Sequence, residues 1–327
     1  MNSSLSPRRL AVLVSLVLFG MAVLFASVAP NLGGTVLLDN GQDCGHVVVF
    51  GIISVVAFAF GRARGISSFY NYTQAALVGI ICGIGIEAIQ YPLDDRDASL
   101  GDVGRDSLGV LIGLLAVGGL VSFRTATKQS WSWRVPLLAV ALALFLFGIS
   151  PVIECVIAQR RRDRTMPVLM STEHFWWERF LSGNDADWWL EDAPADWVGD
   201  PDRKICHVAF YPEQEFPNIH LREPAQDWSA GKAFTFEIYS PSEEAVELEL
   251  RINDVQHDQS GDDYYDRFNR VLKIPPGHSK ISIPLSEIKA APKNREMDMS
   301  HICGLFFFLP RPTQEKHLLF DNVQLDE

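Results

Sequence analysis

The sequence predicts a two-part protein: an all-α polytopic transmembrane bundle of about five helices, then an all-β jelly-roll sandwich. Three observations predict it. Five apolar runs of near-membrane-spanning length fill the first half. Residues 1–158 balance nine basic against nine acidic groups, so the whole net charge of −12 belongs to residues 159–327. That second half reads as short alternating strands separated by turn residues.

The apolar runs lie near 10–29, 46–61, 74–91, 106–123 and 136–157. Arg8 and Arg9 precede the first, and Ser27-Val28-Ala29 resembles a signal cleavage site. An uncleaved helix is preferred, because the run exceeds a usual signal core and Pro30 would follow the cut. Arg8, Arg9, Arg62, Arg64, Arg124, Lys128 and Arg134 fall on one side of this arrangement, which the positive-inside rule makes the cytoplasm. Five crossings then put the second half outside. Arg160, Arg161, Arg162 and Arg164 oppose that orientation. The expected domains are 1–158, a basic linker at 159–171, and an extracytoplasmic sandwich at 172–327.

The segment IEAIQYPLDDRDASLGDVGRD at 86–106 sets polar groups between two apolar runs, where each is costly near lipid. Helical spacing puts Gly79, Gly83, Glu87 and Gln90 on one stripe of the third predicted helix, and Asp102, Asp106, Gly109 and Gly113 on one stripe of the fourth. Small residues at this spacing let membrane helices approach closely, so the two stripes are expected to face each other. Their polar ends would then meet at the outer surface, with His46 opening the second helix on that side and Arg96 or Arg105 available to Glu87. Glu154 is a weaker candidate for the same region. Asp94, Asp95 and Asp97 read as ordinary loop charges. One histidine with scattered carboxylates is not a specific metal pattern, so the pocket reads as a binding or proton-transfer site.

The pattern His46, Glu87-x-x-Gln90, Arg96-x-x-Ser99-x-x-Asp102-x-x-x-Asp106-x-x-Gly109-x-x-x-Gly113 resembles the VanZ-like family of small polytopic membrane proteins, over roughly residues 10–125. Two positions depart from it: the family carries asparagine where this chain has Asp106, and an acidic residue where it has Gln42, with Asp43 one place off. The resemblance implies a bacterial cytoplasmic membrane, a cell-envelope role linked to glycopeptide resistance, and a functional set of His46, Glu87, Gln90, Arg96, Asp102 and Asp106. It implies no defined reaction.

In the second half, AFTFEIYS, VELELRI, KISIPL, GLFFFLP and HLLFDNVQL alternate in strand fashion. Phosphate loops, Cys-x-x-Cys pairs and serine nucleophile motifs are lacking, and the acidic balance argues against nucleic acid. Cys206 and Cys303 sit on apolar strand faces, which leaves two alternatives, free core thiols or a bridge; Cys82 is a helix packing residue. The tryptophans Trp176, Trp177, Trp188, Trp189 and Trp197 are partly core and partly candidates for stacking on sugar rings. The polar segment with Asn253, Asp254, His257, Asp263, Asp266, Arg267 and Asn269 is either a solvated loop or a ligand contact.

The order DWSAGKAFTFEIY, RINDVQHD, DRFNRVLKIPPGHSKISIPLSEI and LLFDNVQL resembles galactose-binding-like jelly rolls that serve as carbohydrate-binding modules. The resemblance implies a glycan ligand and a structural calcium near Asp321; no other cofactor is evident. The expected partners are membrane lipids and a glycan or lipid-linked glycan, with oligomeric state left open. Three functional readings follow: a membrane protein with a polar outer pocket and a glycan-binding ectodomain, a purely non-enzymatic anchor for a binding module, or a proton-coupled path. The third lacks a charged residue near the middle of the second and fourth helices to continue it.

Overall fold

The computed structural model describes residues 35–90, 99–121, 131–197, 203–213, 215–261 and 263–326. The first apolar run and residues 91–98, with Arg96, lie outside these residues. The chain divides into two compact units, Met1–Cys155 and Val156–Glu327.

In the first unit α1 is Val36–Ala63, α2 is Ser68–Gln90, α3 is Leu100–Val121, α4 is Trp131–Gly148 and α5, which runs into the second unit, is Ser150–Thr165. Helix α1 starts ten residues before the expected 46–61 span. Thr35 caps it, its hydroxyl accepting from Leu38 N at 3.3 Å, and Asn40 bonds back to Val36 O at 2.7 Å. Polar first turns are ordinary in a capped helix, so hydrophobicity alone placed the boundary too late.

The apolar run at 136–157 is not one helix, which corrects the expected count. Helices α4 and α5 meet at 50°. Pro151 has no N–H to offer Phe147 O, and the Ser150 hydroxyl donates to that carbonyl instead at 2.8 Å. Helices α1, α2 and α3 are each long and apolar enough to cross a membrane, and the bent pair would make a fourth. Their exposed residues include Ile52, Ile81, Ile84, Leu111 and Leu142, an apolar exterior suited to lipid.

The glycine stripes do not face one another as expected. Gly79 and Gly83 of α2 abut Val110 and Asp106 of α3, whereas Gly109 and Gly113 of α3 turn to α1, against Val47 O, Gly51 O and Ser54. The reason is helical phase: 106 and 110 form one i, i+4 row of α3, and 109 and 113 form the next. One helix thereby packs closely on two neighbours, with Phe50, Ile53 and Val110 in one core cluster and Phe58, Ala75 and Val117 in another.

The second unit is a sandwich of two antiparallel sheets. Its strands are β1 Val168–Met170, β2 Leu181–Asn184, β3 Ala186–Asp192, β4 Lys204–Phe210, β5 Asn218–Arg222, β6 Ala233–Ser240, β7 Val246–Asp254, β8 Phe268–Ile274, β9 Gly277–Pro284, β10 Ile302–Phe308 and β11 Lys316–Asp326. One sheet runs β3-β4-β11-β6-β9 with β1 against β11, and the other runs β2-β5-β10-β7-β8. The chain crosses repeatedly between sheets, in jelly-roll manner. Inward positions alternate with outward ones, and Phe236, Phe307 and Phe320 meet between the layers at centroid distances of 5.3 and 4.9 Å.

Residues 159–171, expected as a linker, are helix through Thr165 and then strand β1. Arg162 is buried in this unit, donating to Glu223 O at 2.8 Å, which gives one of the four topology-opposing arginines a structural use. All five cysteines are free thiols, so no Cys206–Cys303 bridge forms. The two lie on strands of different sheets, and a register shift between Ile302 and Gly304 takes Cys303 out of the inward alternation. Its thiol instead donates to Asp258 Oδ2 at 3.2 Å.

Candidate functional site

Three helices bring His46, Glu87 and Asp106 to one place. His46 comes from the third turn of α1, Glu87 from the last turn of α2 and Asp106 from the second turn of α3. His46 Nδ1 is 2.9 Å from Asp106 Oδ1. One ligand-capable atom from each of the three residues lies within 4.8 Å of the others. Asp106 is 1% exposed and Glu87 7%. Glycine at 83 makes the approach feasible, because a Cβ there would stand 2.6 Å from Asp106 Oδ2.

The carboxylates are only half used. Glu87 Oε2 accepts from Ser99 N at 3.0 Å. Glu87 Oε1 and Asp106 Oδ2 are buried with no hydrogen-bond partner among the described residues. A buried, unsatisfied polar group costs about 1–3 kcal/mol, more when charged. Such an arrangement suits a site that meets a cation, a proton or a polar ligand.

Asp102, expected in the pocket, forms its rim. Arg105 Nη1 donates to Asp102 at 2.5 Å and Nη2 to Asp43 at 2.8 Å, so Arg105 does not meet Glu87. Arg96 and the side chain of Gln90 lie outside the described residues. Glu154 is exposed on α5. Asp43 and Gly83 are the residues that motif reading underrated. Asp43 sits three before His46 on the same helical face, a signal that was available.

In the sandwich, the polar segment is mostly internal structure. Arg295 grips Asp254 through Nη1 at 2.5 Å and Nη2 at 2.8 Å, and Asp266 through Nε at 2.6 Å and Nη2 at 3.0 Å. Asp254 also accepts from His257 N at 2.9 Å and Asp298 N at 2.7 Å. Burial pushes its carboxyl up, but the Arg295 bonds and the two backbone N–H groups together hold it below the usual aspartate value. Arg295 lowers Asp266 in the same way. His257 is fully buried, with Nε2 3.3 Å from Arg251 Nη2. Asn253 donates to Asp258 at 2.5 Å, and Arg267 to Asn269 at 3.1 Å. Asp263 caps the short 3-10 turn at 264–266 by accepting from Tyr265 N at 3.0 Å.

Trp176, Trp177 and Trp197 are buried; Trp188 turns inward to Trp177 at 5.3 Å. Trp189 is 39% exposed and stacks on His207 at 4.1 Å. Asp321 is fully buried and pairs with Arg203 Nε at 2.5 Å while accepting from Thr172 N at 3.1 Å. The carboxylate near which a structural calcium was expected is thus engaged by a guanidinium.

Of one outward row, sequence reading named only Asn269. Ser182, His220, Phe306, Arg251 and Asn269 align in register across β2, β5, β10, β7 and β8. His220 stacks flat on Phe306 at 3.6 Å and 12°, and Arg251 lies over the same ring at 4.7 Å. Burial and the nearby Arg222 and Arg251 lower His220 to about 3, so it is a neutral imidazole at ordinary pH. Alternation in GLFFFLP was legible, but only register shows which strands complete the row.

No family model matches the chain, and no curated protein does. Among solved structures, the chain is similar to an exo-beta-agarase at 14% identity and TM-score 0.39, covering 49% of this chain and 25% of that one. It is also similar to the family 11 carbohydrate-binding module from Clostridium thermocellum at 13% identity and TM-score 0.35, covering 45% of this chain and 88% of that one. A family 28 carbohydrate-binding module specific for non-crystalline cellulose gives 12% identity and TM-score 0.30, over 44% and 87%. The chain thus spans about a quarter of the agarase's length.

Proposed function

We propose that this is an integral membrane protein of the bacterial cell envelope, VanZ-like in its helical unit, that engages a lipid-linked or cell-wall glycan. The observation that carries the reading is the convergence of His46, Glu87 and Asp106, from three separate helices, on one buried polar site. An apolar cavity of about 260 Å³ adds support. It is lined by Val47, Gly51 and Val55 of α1, Ile112 and Gly113 of α3, and Phe145 of α4. A polar site beside an apolar groove suits an amphiphile with a polar head and an acyl chain. The proposed orientation is the sandwich outside the membrane.

The sandwich is proposed to hold the glycan on the Ser182–His220–Phe306–Arg251–Asn269 row. Phe306 is braced between His220 and Arg251, leaving ring edges and the polar groups of the row to a sugar. Glycan-array binding by the full chain in nanodiscs tests this. Phe306→Ala should weaken binding at least tenfold, while Trp189→Ala on the other sheet should not. In cells, His46→Ala and Glu87→Gln should each abolish an envelope-stress or glycopeptide-sensitivity phenotype. If both leave it unchanged while deletion of residues 172–327 removes it, the helices are only an anchor. A C-terminal alkaline-phosphatase fusion should be active; an inactive one overturns the orientation.

A further inference from the structure

The geometry points to a divalent transition-metal site formed by His46, Glu87 and Asp106. One imidazole and two carboxylates supply an N/O donor set with three protein ligands, the number that leaves positions open on a zinc-type or manganese-type ion. The ligand atoms lie within 4.8 Å of one another. Ligands about 2.1 Å from one ion stand roughly 3–4 Å apart, so closure on an ion asks for shifts within reach of side-chain rotation. The 2.9 Å separation of His46 Nδ1 and Asp106 Oδ1 already matches two adjacent ligands.

Three further observations favour a cation. Two carboxylate oxygens, Glu87 Oε1 and Asp106 Oδ2, are buried without partners among the described residues. Cationic side chains are scarce at the site among the described residues, because Arg105 is engaged by Asp102 and Asp43. Glu87 is also pre-oriented: Ser99 N holds Oε2 at 3.0 Å and leaves Oε1 free to turn to an ion, the kind of support that metal ligands receive from their neighbours. Magnesium or calcium would favour an all-oxygen set, so the histidine selects a first-row ion. The inference concerns ion binding alone and stands whether or not the pocket takes a glycan.

The test uses full-length protein in nanodiscs, stripped with chelator and titrated with Zn²⁺ or Co²⁺ alone. Wild type should bind one ion per chain, with visible Co²⁺ absorption bands. His46→Ala, Glu87→Gln and Asp106→Asn should each weaken binding at least tenfold, while Asp39→Asn, an acidic change elsewhere on α1, should not. His46→Cys should bind Co²⁺ and add a thiolate-to-cobalt charge-transfer band, which a misfolded pocket would not show. Binding by wild type no tighter than by the His46→Ala, Glu87→Gln and Asp106→Asn variants overturns the site, as does equal loss in Asp39→Asn.

Discussion

Both units bury carboxylates, and they treat them in opposite ways. In the sandwich, Asp254 meets a bidentate guanidinium and two backbone N–H groups, and Asp321 meets Arg203 and Thr172. In the helical unit, Asp106 meets one histidine and Glu87 one backbone N–H, and each keeps an oxygen without a partner among the described residues. A closed network holds a fold in one arrangement. An open one stores cost that a ligand can relieve, and this difference separates scaffold from site in this molecule.

The largest effect should come from opening a closed network. Arg295→Met leaves Asp254 buried and unpaired, and breaking such a pair costs about 3–5 kcal/mol. Tryptophan-monitored denaturation of the sandwich should show it as a large fall in midpoint; a change near zero would mean that the network is not structural. The pH sign follows. Asp254 and Asp266 have folded pKa values below their unfolded ones, so their contribution is complete above the ordinary aspartate range and is lost as pH falls through it. Wild type should therefore destabilise below about pH 4, and Arg295→Met should flatten that slope.

The open network should respond in the other direction. Asp106→Asn removes one of two buried carboxylates gathered beside a single imidazole, and functional sites often give up stability for function. In metal-free nanodiscs the substitution should leave the helical unit's thermal midpoint unchanged or raise it. A loss comparable to Arg295→Met would place Asp106 with the structural carboxylates and erase the contrast.

The helical cluster was more legible in the sequence than the partners that close the sandwich's networks, for reasons that differ by unit. Helical periodicity and the motif spacing put His46, Glu87 and Asp106 on helix faces near one membrane surface, because a helix fixes which residues share a face. They could not show that Gly109 and Gly113 turn to α1 rather than α2, since adjacent rows of one helix look alike without a partner. In the sandwich, alternation revealed strands but not neighbours. The pairing of Asp254 with Arg295, or of Asp321 with Arg203, spans 41 and 118 residues, and only the sheet order brings them together. The polar segment 253–269 therefore reads from sequence as a solvated loop or a ligand contact, while Asp254, Asp266 and His257 are engaged in internal bonding.

Packing in the helical unit gives an intermediate effect. A Cβ at Gly109 would stand 2.4 Å from Val47 O, a backbone atom, whereas one at Gly83 would meet Asp106 Oδ2, the end of a side chain, at 2.6 Å. Gly109→Ala should thus cost about 1–3 kcal/mol of helical stability by overpacking. Gly83→Ala should cost less, while disturbing ion or ligand binding by displacing Asp106. Thermal unfolding in nanodiscs paired with a Zn²⁺ titration separates the two. Equal stability losses would show that the helices yield as readily as a side chain does.

The smallest effect isolates what makes a buried pair matter. Lys204 and Asp192 approach to 2.5 Å, the same distance as Arg203 and Asp321, but their side chains are 51% and 80% exposed against 18% and 0%. Coulomb attraction between exposed groups is screened by water and offset by side-chain entropy, whereas an unpaired Asp321 would have no solvent to replace its partner. Lys204→Ala should therefore leave the sandwich's denaturation midpoint within experimental error, and Arg203→Ala should lower it measurably. If the two variants lost equal stability, proximity alone would govern these pairs. The unpartnered oxygens of Glu87 and Asp106 would then no longer distinguish a site from a scaffold.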